Sequence, residues 1–270
     1  MNNVNKEKKT TVGDVVTWLD SKFHPEYQED YDNAGFLLGD TQSEYKGTLV
    51  SLDLTPAVVD EAVQIGMSLI VTHHPFIFKG LKRLTTASET GRMVTTLIKN
   101  DIAVYAAHTN LDNMPDGVNG ILAEKLCLQN CRILKPFAND DNLGAGMLGE
   151  LAKTVTVDDF LLGVKATLGM PTVRTSAHDG SKLVRRVAIC GGSGAEFIGD
   201  ALAAKADIYL TADLKYHDFQ RTDGRMVLAD IGHYESEQFA KEIIFRAISE
   251  KFSNFACRIS DAQKGLVSYI

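Results

Sequence analysis

The sequence predicts an α/β protein built from two related halves. Apolar strands alternate with amphipathic helices, and the same order of elements returns in the second half of the chain. A third observation concerns chemistry. In "SLIVTHHPFIF" (Ser68 to Phe78) an apolar run stops at two adjacent histidines and a proline.

The elements follow in order. "TVGDVVTWLDSKF" reads as an amphipathic helix with Val12, Val15, Val16 and Leu19 on one face. "NAGFLLGD" and "TLVSLDL" read as strands, "AVVDEAVQIG" as a helix and "SLIVT" as a strand. A helix near "GRMVTTLIKN" leads to the strand "IAVYAAH". Such alternation implies buried strands that lie near parallel.

The second half repeats this, without a gap from the helix to the closing threonine and with a shorter connection downstream. "VVDEAVQIGMSLIVTHH" lies over "FIGDALAAKADIYLTAD", so Thr72 and Thr211 close equivalent strands. Upstream, "LVSLD" lies over "AICGG"; downstream, His108-x-x-x-Asp112 lies over His233-x-x-x-Glu237. A repeat this long indicates domain duplication and not a solenoid. The expected boundary falls near "LQNCRILKPFANDDN". That gives a first domain over 1–128, completed by 234–270, and a second over 129–233. The last helix, "ESEQFAKEIIFRAISEKF", opens acidic and closes basic as the helix dipole prefers, and is expected to pack on the first half. Two such halves commonly enclose a binding site in the cleft between them.

Composition narrows the class. With 44% hydrophobic and 23% charged residues in 270, the chain reads as an ordinary globular protein. A net charge of −7 argues against general affinity for nucleic acid or an anionic membrane. No window offers the ~20 apolar residues of a membrane-spanning helix. The polar start "MNNVNKEKKT" lacks the apolar segment of a secretory signal. Cys127, Cys131, Cys190 and Cys257 show no C-x-x-C spacing, which suits free thiols in a reducing cytoplasm.

The histidines carry the functional reading. His73 and His74 end a strand, where successive side chains can diverge around one site and serve two ions, one imidazole to each. The alternative is a hydrogen-bonded structural pair. "HTNLD" adds His108 and Asp112 in what reads as a loop, where Asp112 could equally cap backbone amides. "HYESE" adds His233 and Glu237, an i, i+4 pair if a helix starts there. Together, four of the seven histidines, His73, His74, His108 and His233, and two carboxylates fall at equivalent strand ends, where α/β sheets bind ligands. That pattern favours metal. Imidazole and carboxylate without thiolate suit Zn, Mn, Fe, Co or Ni alike.

"DNAGFLLGD", "THHPFIFKG", "HTNLD", "TADLKYHD" and "GHYESE", in this order, resemble the Nif-three-like family, also called GTP cyclohydrolase 1 type 2 homologues. The resemblance runs from about Thr11 to the C-terminus. It implies two α/β domains, a dinuclear site of two divalent metal ions between them, and a homo-oligomer, often a toroidal hexamer. Carried over, the ligands are His73, His74, Asp112, His233 and a bridging Glu237, with His108 a further ligand or near neighbour. The long insert that some members carry between the halves is absent here.

Two ions bring +4 and the two acids return −2, so the site should attract a small anionic or nucleotide-like ligand. A metal-bound water with a pKa near ~7 gives a hydroxide nucleophile, which makes hydrolysis the first expectation. "CGGSGAEF" could cradle a phosphate or simply form a tight turn. Asp213, Lys215 and His217 follow the duplicated strand and are candidate substrate contacts or proton carriers, Lys215 and His217 as catalytic groups; the alternative is a solvated loop. The competing class is a non-enzymatic metal-binding adaptor that binds a protein partner.

Overall fold

A computed structural model describes residues 9–268. Most of the polar start, residues 1–8, lies outside them. The chain divides into two compact units, Met1–Asn110 with Lys241–Lys264 and Leu111–Ala240 with Gly265–Ile270.

In the first unit, a five-stranded sheet has the order β1-β4-β3-β2-β11. Its strands are β1 (Gly35–Leu38), β2 (Gly47–Ser51), β3 (Leu69–Thr72), β4 (Ala103–Ala106) and β11 (Ala256–Ile259). Helices α1 (Val12–Phe23), α2 (Pro56–Gln64) and α3 (Glu89–Lys99) accompany it, with most of α9 (Ala240–Lys251). Sequence chemistry sets the helix starts. Thr11 accepts from the amide of Asp14, whose carboxylate takes the Thr11 amide at 2.8 Å, a reciprocal cap on α1. Thr55 caps α2 and Pro56 opens it, where a missing N–H costs nothing. Leu49, Val58, Ile70, Leu97 and Val104 bury the helix-facing side. Strands β3 and β4 are buried throughout, as central parallel strands require.

The second unit holds a six-stranded sheet, β5-β6-β8-β9-β10-β7. These are β5 (Gln129–Phe137), β6 (Asp140–Thr156), β7 (Arg174–Thr175), β8 (Leu183–Ser193), β9 (Ile208–Ala212) and β10 (Val227–Asp230). Its helices include α5 (Val118–Lys125), α6 (Val157–Leu168), α7 (Ile198–Ala203) and α8 (His233–Glu237). Val187 and Ile189 of β8 enter one apolar cluster, while Ala188 and Cys190 enter another, so both faces of this strand are covered.

The repeat read from the sequence is present in the strand register. Leu49 pairs with Ile70 across β2 and β3, and Ala188 pairs with Tyr209 across β8 and β9. Four expectations differ from the structure. The sheets are mixed: β1 runs antiparallel to β4, β5 to β6, β6 to β8, and β7 to β10. The stretch "LQNCRILKPFANDDN" is strand β5 turning into β6; only Ile133 and Leu134 of β5 are fully buried, so no alternation marks it. The last helix is two helices, α8 and α9, broken after Glu237. Helix α5, read with the first segment, belongs to the second unit, where Leu122 and Leu126 join the cluster around Val187. Among the described residues no helix is long and apolar enough to cross a membrane.

Candidate metal centre

Three imidazoles converge in the first unit. His73 and His74 follow β3, and their amides donate to Leu52 O at 3.1 and 2.9 Å, which ties the dipeptide to the end of β2. Thr72 Oγ1 donates to His74 O at 2.7 Å and fixes the bend. His108 follows β4; its amide donates to Asn110 Oδ1 at 2.8 Å, and Asn110 Nδ2 donates to Phe23 O at 2.8 Å. The ring centroids of His73, His74 and His108 lie 4.9 to 5.5 Å apart, and one ligand atom from each falls within 4.8 Å of the others.

Each of these rings is held at Nδ1 by an oxygen. His73 Nδ1 lies 2.7 Å from Ala107 O, His74 Nδ1 2.7 Å from Asp53 Oδ1, and His108 Nδ1 2.7 Å from Asp32 Oδ1. With a carbonyl or carboxylate there as acceptor, Nδ1 donates its N–H, so the ring lone pair belongs to Nε2. This is the support that metal-binding histidines need. The acceptors are themselves supported. Gln263 Nε2 donates to Asp53 Oδ2 at 3.0 Å, and the Thr109 amide donates to Asp32 Oδ2 at 3.0 Å. Burial works against the Asp32 charge, yet hydrogen bonds and the charge of His108, with help from Thr109 and Asn33, hold its pKa down to about 2.

The second unit carries the acids. Gly232, at φ 73°, precedes α8, whose first and last residues are His233 and Glu237. The i, i+4 spacing places His233 Nε2 2.9 Å from Glu237 Oε2. His233 Nδ1 lies 2.8 Å from Asp213 Oδ2, so the fourth imidazole repeats the arrangement of the other three. Asp213 stands just after β9 in the left-handed region, φ 56°, which Asp tolerates better than most residues. Carboxylate oxygens of Asp112 and Glu237 lie within 4.8 Å of each other. Asn119, buried on α5, donates to Asp112 O at 3.2 Å and accepts from the Gly191 amide at 2.9 Å. The Gly192 amide donates to Ser236 Oγ at 3.0 Å. A Cβ on Gly192, whose φ is +63°, would stand 1.9 Å from Glu237 Oε1. The "CGGSG" stretch, whose first four residues are the end of β8 and not the tight turn expected, therefore seats α8, and its first two glycine amides are engaged by Asn119 and Ser236.

Residues 10–264 match the family model Duf34/NIF3 (NGG1p interacting factor 3). The chain belongs to this family. A relative from Clostridium perfringens (strain 13 / Type A), called GTP cyclohydrolase 1 type 2 homolog, is 35% identical over 229 residues, covering 84% of this chain and 86% of that protein. The hypothetical protein SA1388 of Staphylococcus aureus superposes with a TM-score of 0.88 at 29% identity, over 97% of this chain and 100% of that one. A Bacillus cereus protein related to NIF3 gives 0.89 at 24% identity, over 98% and 100%, a likeness of fold.

The donor set of this NIF3 chain fits divalent cations. It offers imidazoles and carboxylates, and the nearby Cys190 joins none of the converging groups among the described residues. Burial pushes its thiol far above the ordinary range, and the charges of Asp112 and Glu237 push it further. "HTNLD" differs from the loop expected of it: Thr109–Asp112 forms a helical turn, α4, between His108 and Asp112. Lys215 and His217 stand exposed at and after the start of the 3-10 turn Tyr216–Thr222. The Lys215 amide donates to Asp218 Oδ2 at 2.8 Å, and His217 Nδ1 lies 3.4 Å from Gln220 Oε1. His217 joins none of the converging groups among the described residues. Sequence reasoning missed Asp32, Asp53, Asn119 and Gln263 and gave Asp213 a different task. The available signal was position, since Asp53 and Asp213 both follow the ends of duplicated strands.

Proposed function

We propose that this chain is a divalent-metal-dependent hydrolase acting on a nucleotide-like or phosphorylated small molecule. In this reading His73, His74, His108, Asp112, His233 and Glu237 hold two divalent ions, drawn from Zn, Fe, Mn, Co or Ni, and Glu237 bridges them. The observation that carries it is the common support of four imidazoles, each with Nδ1 2.7 to 2.8 Å from an oxygen. The chain also ties the two ligand groups together, because a single helical turn, Thr109–Asp112, connects His108 to Asp112.

When bound, such ions supply Lewis acidity, an activated water and, against two carboxylate charges, a positive potential for an anionic substrate. The protein's own part is orientation. Asp32, Asp53, Asp213 and Ala107 O keep the imidazole protons on Nδ1, and Asn119 and Ser236 hold the acids in place. Lys215 and His217, on the exposed turn after β9, are taken as substrate-side proton carriers. Opening of the GTP ring is suggested by the name of the Clostridium perfringens relative. The same reading takes the chain as a cytoplasmic homo-oligomer, a hexamer by resemblance.

Elemental analysis of the purified protein beside a Glu237→Ala variant tests the centre. Metal content should fall strongly in the variant, and unchanged stoichiometry would contradict the bridge. Metal-loaded protein that fails to turn over GTP would remove that substrate and leave other anionic ones. The family name, an interacting factor, favours a second reading as a metal-binding adaptor. That reading requires partner binding without turnover of any such compound.

A further inference from the structure

Two aromatic side chains in the first unit lie close to the imidazole cluster and are left in water. Tyr31 is 61% exposed and Phe78 is 42% exposed. Their ring centroids lie 6.4 Å apart at 53°. Phe78 also meets His108 edge-on, at 6.2 Å and 84°. Exposed rings are unremarkable singly, but these two are fixed with respect to a ligand imidazole. Tyr31 stands in the turn closed by the Asp32 amide on Glu29 O at 2.9 Å, and the Asp32 carboxylate holds His108 Nδ1 at 2.7 Å. Asn33 Nδ2 donates to Ile77 O at 2.6 Å, joining that turn to the segment that carries Phe78.

Charge adds direction. The chain is acidic overall, yet Val71 to Ser88 contains no carboxylate and exposes Lys79, Lys82 and Arg83 just beyond Phe78. Asp30 flanks Tyr31 on the other side and disfavours an anion there. An aromatic face beside a run of cations is the combination that binds nucleotides: the base stacks on the ring and the phosphate meets the lysines and arginine.

We infer that Tyr31 and Phe78 form a stacking ledge that selects substrates carrying a planar heteroaromatic ring, with the phosphate directed toward Lys79, Lys82 and Arg83. This rests on the hydrolase reading for the location of the reacting centre beside His108, and it narrows the ligand from any small anion to a nucleotide-class molecule. The ledge determines specificity and takes no part in bond breaking.

The test compares compounds that differ only by the ring: ribose 5-phosphate against the better bound of AMP and GMP. Calorimetry measures both affinities on manganese-loaded and on chelated full-length protein, for the native chain, Phe78→Leu, Tyr31→Leu and Phe78→Trp. The native chain should prefer the nucleotide by about tenfold or more, the scale of one base stacked on one side chain. Phe78→Leu and Tyr31→Leu should each reduce that preference severalfold without changing ribose 5-phosphate affinity, and Phe78→Trp should retain it. A native ratio near one overturns the ledge, as does an unchanged ratio in both leucine variants, including the case where they alter oligomeric mass instead. The ratio reports on the ledge alone. Loss of any metal effect on absolute affinity, with the ratio intact, would count against the hydrolase reading and leave the ledge standing.

Discussion

Nδ1 of His74 lies 2.7 Å from Oδ1 of Asp53, while Gln263 donates to the other oxygen of that carboxylate at 3.0 Å. The C-terminal segment thus orients an imidazole that the chain laid down almost two hundred residues earlier. Asp53→Asn keeps the shape and removes the charge. Metal affinity, measured by competition with a chelator, should fall by about 10–100-fold. An affinity equal to that of the native chain would mean that Asp53 serves the fold alone.

Metal removal should lower the melting temperature. On the proposed reading, ions held by the six candidate side chains would bind the unfolded chain far less well, so at a hundredfold excess over Kd they would add about 2.7 kcal/mol. Chelation should reverse this in the native chain and have little effect in Glu237→Ala.

Gly192→Ala should be costly. The added Cβ would stand 1.9 Å from Glu237 Oε1, at a φ of +63° that alanine disfavours. The backbone strain alone is of order 1–3 kcal/mol. Denaturant unfolding should show at least that loss, and metal content should drop with it because Glu237 must move.

Asn119→Leu removes a nearly isosteric amide that bonds both Asp112 O and the Gly191 amide. Two part-buried backbone groups lose their partner, so a loss of about 1–3 kcal/mol is expected in urea unfolding. A loss below about 1 kcal/mol would show that the two groups find other partners.

Tyr45 gives a pH dependence that is independent of metal. Burial beside Phe252 and Phe255 pushes its hydroxyl up from 10.0 to about 12, with the Thr48 hydrogen bond pulling slightly the other way. Between those values the unfolded chain has lost a proton that the folded chain keeps. Stability is therefore intact below pH 10 and declines as pH rises toward about 12, by about 2–3 kcal/mol from this residue. Tyr45→Phe should flatten that alkaline limb in equilibrium unfolding.

The ligand candidates were legible because they interrupt strong patterns. "LIVT" is buried throughout and "HH" follows it; "AVYA" is buried throughout and "AHTNLD" follows it. Duplication supplied the rest of the set, since His233-x-x-x-Glu237 echoes His108-x-x-x-Asp112. The supporting acids were hidden by distance: Asp32 precedes His108 by 76 residues and Asp53 precedes His74 by 21. No local periodicity marks a lone aspartate in a turn. The hairpin β5–β6 escaped for a different reason, because β5 exposes Gln129, Asn130, Cys131 and Arg132 in succession and reads as a linker. The break between α8 and α9 carries neither glycine nor proline, the usual signs of a helix end.

Strand β11 pairs in parallel with β2, from Ala256 against Gly47 to Ile259 against Val50. During synthesis the ribosome must therefore carry the chain from β2 (Gly47–Ser51) as far as β11 (Ala256–Ile259) before β2 gains its outer neighbour. The nascent amino-terminal sheet carries a bare flank of amide and carbonyl groups throughout that interval, a template for errant pairing. The second unit, though made later, has every one of its strands in hand sooner.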